Sequence, residues 1–133
     1  ERTEVKLNGE RADKKLRHWR QIAISACEQS GRNTLPQLGS VTRLTDWVCT
    51  VDTQAKYVLH HRAATPMTRG KEPSSVALLI GPEGGLNDAE IVTSEQAGFS
   101  PLALGPRVLR TETAPLAAIA ILQARWGDMS AQL

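Results

Sequence analysis

The run Val76-Ala77-Leu78-Leu79-Ile80 stops abruptly at Gly81, and it constrains the fold of this chain more than any other segment. An uninterrupted apolar strand has no polar face to give to water, so it belongs in a parallel sheet covered on both sides. Helical and extended patterns alternate around it. From Arg11 to Ser30 the residues Leu16, Trp19, Ile22, Ala23, Ala26 and Cys27 recur at helical spacing, and Gly31 is a natural stop. This predicts an amphipathic helix with those side chains inward and Lys14, Lys15, Arg17, His18 and Arg20 outward. Val41 to Val51 reads as a short helix with Leu44, Trp47, Val48 and Val51 inward, and Lys56 to His60 as a strand. Arg62 to Ser75, polar and broken by Pro66, Gly70 and Pro73, is predicted to be a mobile loop. Asn87 followed by Glu90 makes a capping box for a helix running to Ala97, with Gly98 at its end. Leu102 to Leu104 is the next predicted strand. Thr111 or Thr113 then caps a last helix that tolerates Pro115 in its first turn and ends near Trp126 and Gly127. The expected class is α/β, a mainly parallel sheet flanked by helices with its loops gathered at the carboxyl ends of the strands.

At 133 residues the chain suits one domain, 1–133, able to bury about two-thirds of its unfolded surface. Hydrophobic residues at 41% and charged residues at 23% exclude disordered and fibrous classes. The longest apolar stretches fall far short of the roughly 20 residues that a bilayer span requires. Glu1 to Leu7 lack the apolar run of a secretory signal, so a cytoplasmic location is expected. Cys27 and Cys49 are widely spaced and fit free thiols in a reducing compartment. His18, His60 and His61 have no zinc-type spacing, and adjacent histidines on a strand point to opposite faces, so no metal is expected. The net charge is only +2, yet eight of the 16 Lys and Arg lie in the first 32 residues against five acids there. That end suits a polyanion, although a solvated helix face would carry the same charges.

Gly81-Pro82-Glu83-Gly84-Gly85-Leu86 lies between a buried strand and a capped helix, where α/β proteins bind nucleotides. Its glycines let backbone amides come close to a ligand; taken alone, they are equally a tight turn. It has neither a GxGxxG pattern nor the lysine and Ser/Thr of a Walker A loop. A second strand, glycine turn and helix start follow in Leu104-Gly105-Pro106-Arg107-Val108-Leu109-Arg110-Thr111-Glu112-Thr113-Ala114.

These two segments, about 18 residues apart, resemble the paired signature of the RsmE family of SPOUT methyltransferases. Cys27-Glu28-Gln29-Ser30-Gly31-Arg32 and the following Leu35-Pro36 resemble the same family's helix and turn, so the likeness covers nearly the whole chain. The resemblance implies a C-terminal deep trefoil knot, which general rules of sheet topology would not have suggested. It implies S-adenosylmethionine as cofactor, a homodimer, and methylation of N3 of a uridine in 16S ribosomal RNA of the small subunit. Carried over by position, the cofactor contacts are Leu59, His60, Ile80, Gly81, Pro82, Gly85, Leu104, Gly105, Val108, Leu109, Arg110 and Thr113. The family also carries an N-terminal β-barrel, then a first strand and helix, and this chain is expected to begin after all of them. The likeness therefore implies a domain truncated at its N-terminus.

Methylating uracil N3 requires loss of its proton, helped by a base or by a cation that stabilises the developing anion. Arg110 is the expected cation and Glu112 the expected proton acceptor, with Glu83 as the second choice. One charge-assisted hydrogen bond contributes about 1.5 to 3 kcal/mol, roughly one to two pKa units on the base. A helix-start carboxylate paired with Arg110 would look the same in sequence. Arg32, Arg20 and Arg107 are expected to meet RNA phosphates. Two rivals are a ribose 2′-O methyltransferase, against which LRTETA weighs, and a non-catalytic RNA-binding or dimerisation module.

Overall fold

In the computed structural model the described residues are 8–62 and 71–129. The opening segment Glu1 to Leu7 and most of the loop expected to be mobile lie outside them. By its internal contacts the chain divides into two units, one spanning Val5–Arg43 and the other holding Leu44–Leu133.

In the first unit α1 spans Gly9–Ser30 and ends on Gly31 at φ 74°, a left-handed backbone that glycine adopts without a Cβ clash. The Arg32 amide then donates to the Cys27 carbonyl at 2.9 Å, a bond that closes the last turn. Cys27 is buried, and its thiol faces the Thr34 carbonyl at 3.8 Å. The expected inward face is otherwise only partly covered. Leu16 and Ala23 are half-buried, whereas Trp19, Ile22 and Ala26 are exposed, Ile22 at 53%. Helical spacing tells which side chains share a face; it does not supply the surface that covers them.

The second unit is built on three parallel strands in the order β2-β1-β3. These are β1 (Ala55–Leu59), β2 (Val76–Leu79) and β3 (Ser100–Leu102), with Ala55 opposite Val76 and Tyr57 opposite Ser100. Gln54 and Ser75 extend the β1–β2 pairing backward. The Gln54 amide donates to Ser75 Oγ at 3.0 Å, and the Ser74 amide to Gln54 Oε1 at 2.8 Å. Strand β3 begins two residues before the predicted Leu102. Phe99, 2% exposed, is pinned in the core, so the strand leaves directly from it. Pro101 masks the strand in the sequence but is admissible on an edge.

Helices α2 (Leu44–Thr50), α3 (Asp88–Gln96) and α4 (Ala114–Trp126) complete this unit. Val48 of α2, Val58 of β1, Leu79 of β2 and Phe99 form the core cluster, with Leu44, Trp47, Val51, Ala77, Leu86 and Ala97 packed around it. Trp47 and Phe99 stack tilted, their centroids 5.7 Å apart. The capping box of α3 is complete, the Glu90 amide donating to Asn87 Oδ1 and the Asn87 amide to Glu90 Oε2, each at 2.8 Å. The start of α4 differs from the prediction. Thr113 occupies the N-cap position without a side-chain capping bond, and Thr111 is engaged elsewhere. Cys27 and Cys49 are both free. No helix among the described residues is long and apolar enough to cross a membrane.

Candidate cofactor and active site

All three strands run parallel, so their carboxyl ends emerge together, and the segments leaving them enclose one cleft of about 630 Å³. Leu59, His60 and His61 line it after β1, Ile80 and the glycine loop 81–86 after β2, and Leu102, Ala103 and Leu104 at the end of β3. Residues 107–112 and Ala114 close the remaining side. A cleft of this volume lies within the range of small-molecule and cofactor sites, about 300 to 1,000 Å³.

The first loop is shaped by two glycines for different reasons. A Cβ on Gly81 would stand 3.0 Å from the Leu86 backbone nitrogen and 3.1 Å from Leu86 Cγ, so the loop closes on itself only because that carbon is missing. Gly85 has free space around it but sits at φ +74°. Its amide donates to the Pro82 carbonyl at 2.8 Å, and the capping box of α3 fixes the way out.

The second loop is open to solvent at Arg107 and Val108, the latter 70% exposed. It turns at Arg110, whose carbonyl accepts from the amides of Thr113 at 3.0 Å and Ala114 at 2.8 Å. Arg110 Nη1 lies 4.0 Å from Glu112 Oε1, with the side chains 86% and 69% exposed. So exposed a pair adds little to stability and is free to exchange partners. The Thr111 hydroxyl donates to the Gly81 carbonyl at 3.4 Å, from one loop to the other.

Of the residues expected to contact a cofactor, Leu59, His60, Ile80, Gly81, Pro82, Gly85, Leu104, Val108, Leu109 and Arg110 line this cleft; Gly105 and Thr113 do not. Glu112, Glu83 and Arg107 line it too. Arg20 and Arg32 are exposed residues of the other unit. His60 and His61 do not take opposite strand faces. Strand β1 ends at Leu59, so its alternation no longer governs them; both residues line the cleft, and their ring centroids are 5.4 Å apart, edge to face. The His60 amide continues the ladder by donating to the Leu102 carbonyl at 3.0 Å.

Sequence reasoning had not placed His61, Gly84, Leu86, Leu102, Ala103, Thr111 or Ala114 in the cleft. Ala103 follows from the true end of β3, and Leu86 from its packing beneath Gly81. No signal in the sequence marks Thr111 as reaching across to Gly81.

Known proteins share this fold. The chain is similar to a putative methyltransferase from Legionella pneumophila, solved in complex with S-adenosylmethionine, at 44% identity and a TM-score of 0.89, over 94% of this chain and 52% of that one. It is similar to a ribosomal RNA small subunit methyltransferase E from Neisseria gonorrhoeae, bound to S-adenosylmethionine, at 40% identity and a TM-score of 0.82, over 93% of this chain and 53% of that one. Ribosomal RNA small subunit methyltransferase E of Buchnera aphidicola subsp. Schizaphis graminum is 43% identical over 119 residues, 88% of this chain and 48% of that protein. The chain thus spans about half the length of the curated relatives it matches. The resemblance to the RsmE family holds along nearly all of it. The model of the RNA methyltransferase domain matches residues 1–123, and the chain belongs to that family.

Proposed function

We propose that this chain binds S-adenosylmethionine in the cleft between the two loops and acts in methylating N3 of a uridine in 16S ribosomal RNA of the small subunit. One observation carries the reading. The loops 81–86 and 104–114, separate in sequence, meet at the carboxyl ends of parallel strands around about 630 Å³, in a fold shared with relatives solved with that cofactor. The residues present fit the cofactor. Gly85, whose missing Cβ would meet nothing within 4 Å, leaves backbone open at the cleft, and Ile80, Leu104, Val108 and Leu109 line it with apolar side chains. When bound, it supplies a methyl sulfonium, already a strong electrophile.

The chain's own task is then alignment and charge. Arg110 stabilises negative charge developing on the uracil, and Glu112, beside it on the cleft wall, accepts the N3 proton, with Glu83 as the second choice. Breaking their exposed contact to engage a substrate costs little. Arg107 at the cleft, and Arg20 and Arg32 on the other unit, hold RNA phosphates. We place the reaction in the cytoplasm, where ribosomes are made. We also expect the C-terminal knot and a homodimer. Leu116, 70% exposed, and Ile119, 49% exposed, stand on one face of α4 and would be covered by a second copy.

Isothermal titration of the chain with S-adenosylmethionine tests the cofactor reading, for which saturable one-site binding is expected. Mass spectrometry of 16S ribosomal RNA from a strain lacking the gene tests the substrate. The loss of one N3-methyluridine is expected, and an unchanged methylation pattern would overturn the assignment.

A further inference from the structure

The Thr111 hydroxyl donates to the Gly81 carbonyl at 3.4 Å, across 30 positions of sequence. Gly81 is where the backbone leaves β2 for the first loop, and it lines the cleft. Thr111 is the residue between Arg110 and Glu112, both of which line the same cleft. Within the second loop, the amides of Thr113 and Ala114 donate back to the Arg110 carbonyl. Such bonds fix the loop's own shape and leave its distance from the first loop undetermined. A side chain reaching across supplies that distance.

We propose that Thr111 is a positioning residue, a tether that sets the gap between the two glycine loops and so the width of the cofactor cleft. The proposal rests on the cofactor reading above. The partner assigned to the hydroxyl is the Gly81 carbonyl rather than a reacting atom. It acts through Gly81 on one side and through the backbone carrying Arg110 and Glu112 on the other. A β-branched threonine suits this role, since its few χ1 rotamers hold the hydroxyl in place at small entropic loss.

Thr111→Val keeps the shape and removes the donor, whereas Thr111→Ser keeps the donor and removes a methyl group. Hydrogen exchange on the cofactor-free chain reads the tether directly. The peptide covering residues 104–114 should exchange faster in the valine variant and return to the wild-type rate in the serine variant. Titration with S-adenosylmethionine should show affinity weakened roughly twofold to threefold by valine, the low end of a hydrogen bond's worth as befits a long one, and restored by serine. The thermal midpoint of the cofactor-free protein should stay close to wild type. Equal affinity in wild type and Thr111→Val, or failure of serine to restore it, overturns the proposal while leaving the cofactor reading intact. Absence of binding by the wild-type chain overturns both.

Discussion

Gly81 and Leu86 approach so closely that a single added methyl on Gly81 would stand 3.0 Å from the Leu86 backbone nitrogen. The neighbour that would have to give way is backbone leading into α3, which its capping box holds in place. Gly81→Ala should therefore displace the first loop rather than be absorbed. An overpacking penalty of about 1 to 3 kcal/mol is expected, with affinity for S-adenosylmethionine reduced at least about tenfold. Titration and thermal unfolding check the two effects separately.

Gly85→Ala makes a contrasting case. A methyl group there would meet nothing within 4 Å, so only the left-handed backbone at φ +74° resists the change. A cost of about 1 to 2 kcal/mol is expected, measurable by urea unfolding, with a smaller effect on cofactor binding than that of Gly81→Ala.

Glu112→Gln and Arg110→Ala separate base from cation. If Glu112 accepts the N3 proton, its amide variant should lose about 100-fold or more in turnover. Arg110→Ala should lose roughly tenfold to 100-fold, the worth of one charge-assisted bond. Thermal unfolding should barely change in either, since the ion pair is exposed. Near-normal methyl transfer by Glu112→Gln would remove it as the base and turn attention to Glu83.

Asn87→Ala removes the side-chain half of the capping box, the bond from the Glu90 amide to Asn87 Oδ1 at 2.8 Å, and leaves the Asn87 amide to donate to Glu90 Oε2. The expected loss is about 0.5 to 2 kcal/mol of stability, read from denaturant unfolding. Because the first loop ends at this cap, its hydrogen exchange should also rise.

Arg107→Ala should weaken RNA binding by the same factor across different sequences. The slope of log affinity against log salt should become shallower by about 0.7 if the contact is to a single-stranded phosphate. A change confined to one sequence would instead point to contact with a base.

The two glycine loops were legible because each carries a compact motif between a strand and a helix, and the capping box of α3 because its two partners lie within one turn. What sequence could not supply was long-range pairing. The start of β3 was missed because Pro101 reads locally as a strand breaker, whereas the real constraint is the burial of Phe99. His60 and His61 were assigned to opposite faces by an alternation that ends at Leu59. Either Thr111 or Thr113 reads as a helix cap because a threonine ahead of a helix usually is one, while the Thr111 hydroxyl is committed to a carbonyl 30 residues away. On α1 the spacing marked a common face, but Trp19 and Ile22 on it remain exposed.

The proline in β3 has one more effect. His60 donates to the Leu102 carbonyl, so Leu102, and Ser100 two residues earlier, direct their backbone groups toward β1, while Pro101 between them faces outward. Its ring nitrogen carries no hydrogen, so that rim of the sheet offers no donor at this position to an approaching strand. Accretion of foreign strands is discouraged there, and any enlargement of the sheet is directed to the opposite rim, alongside β2.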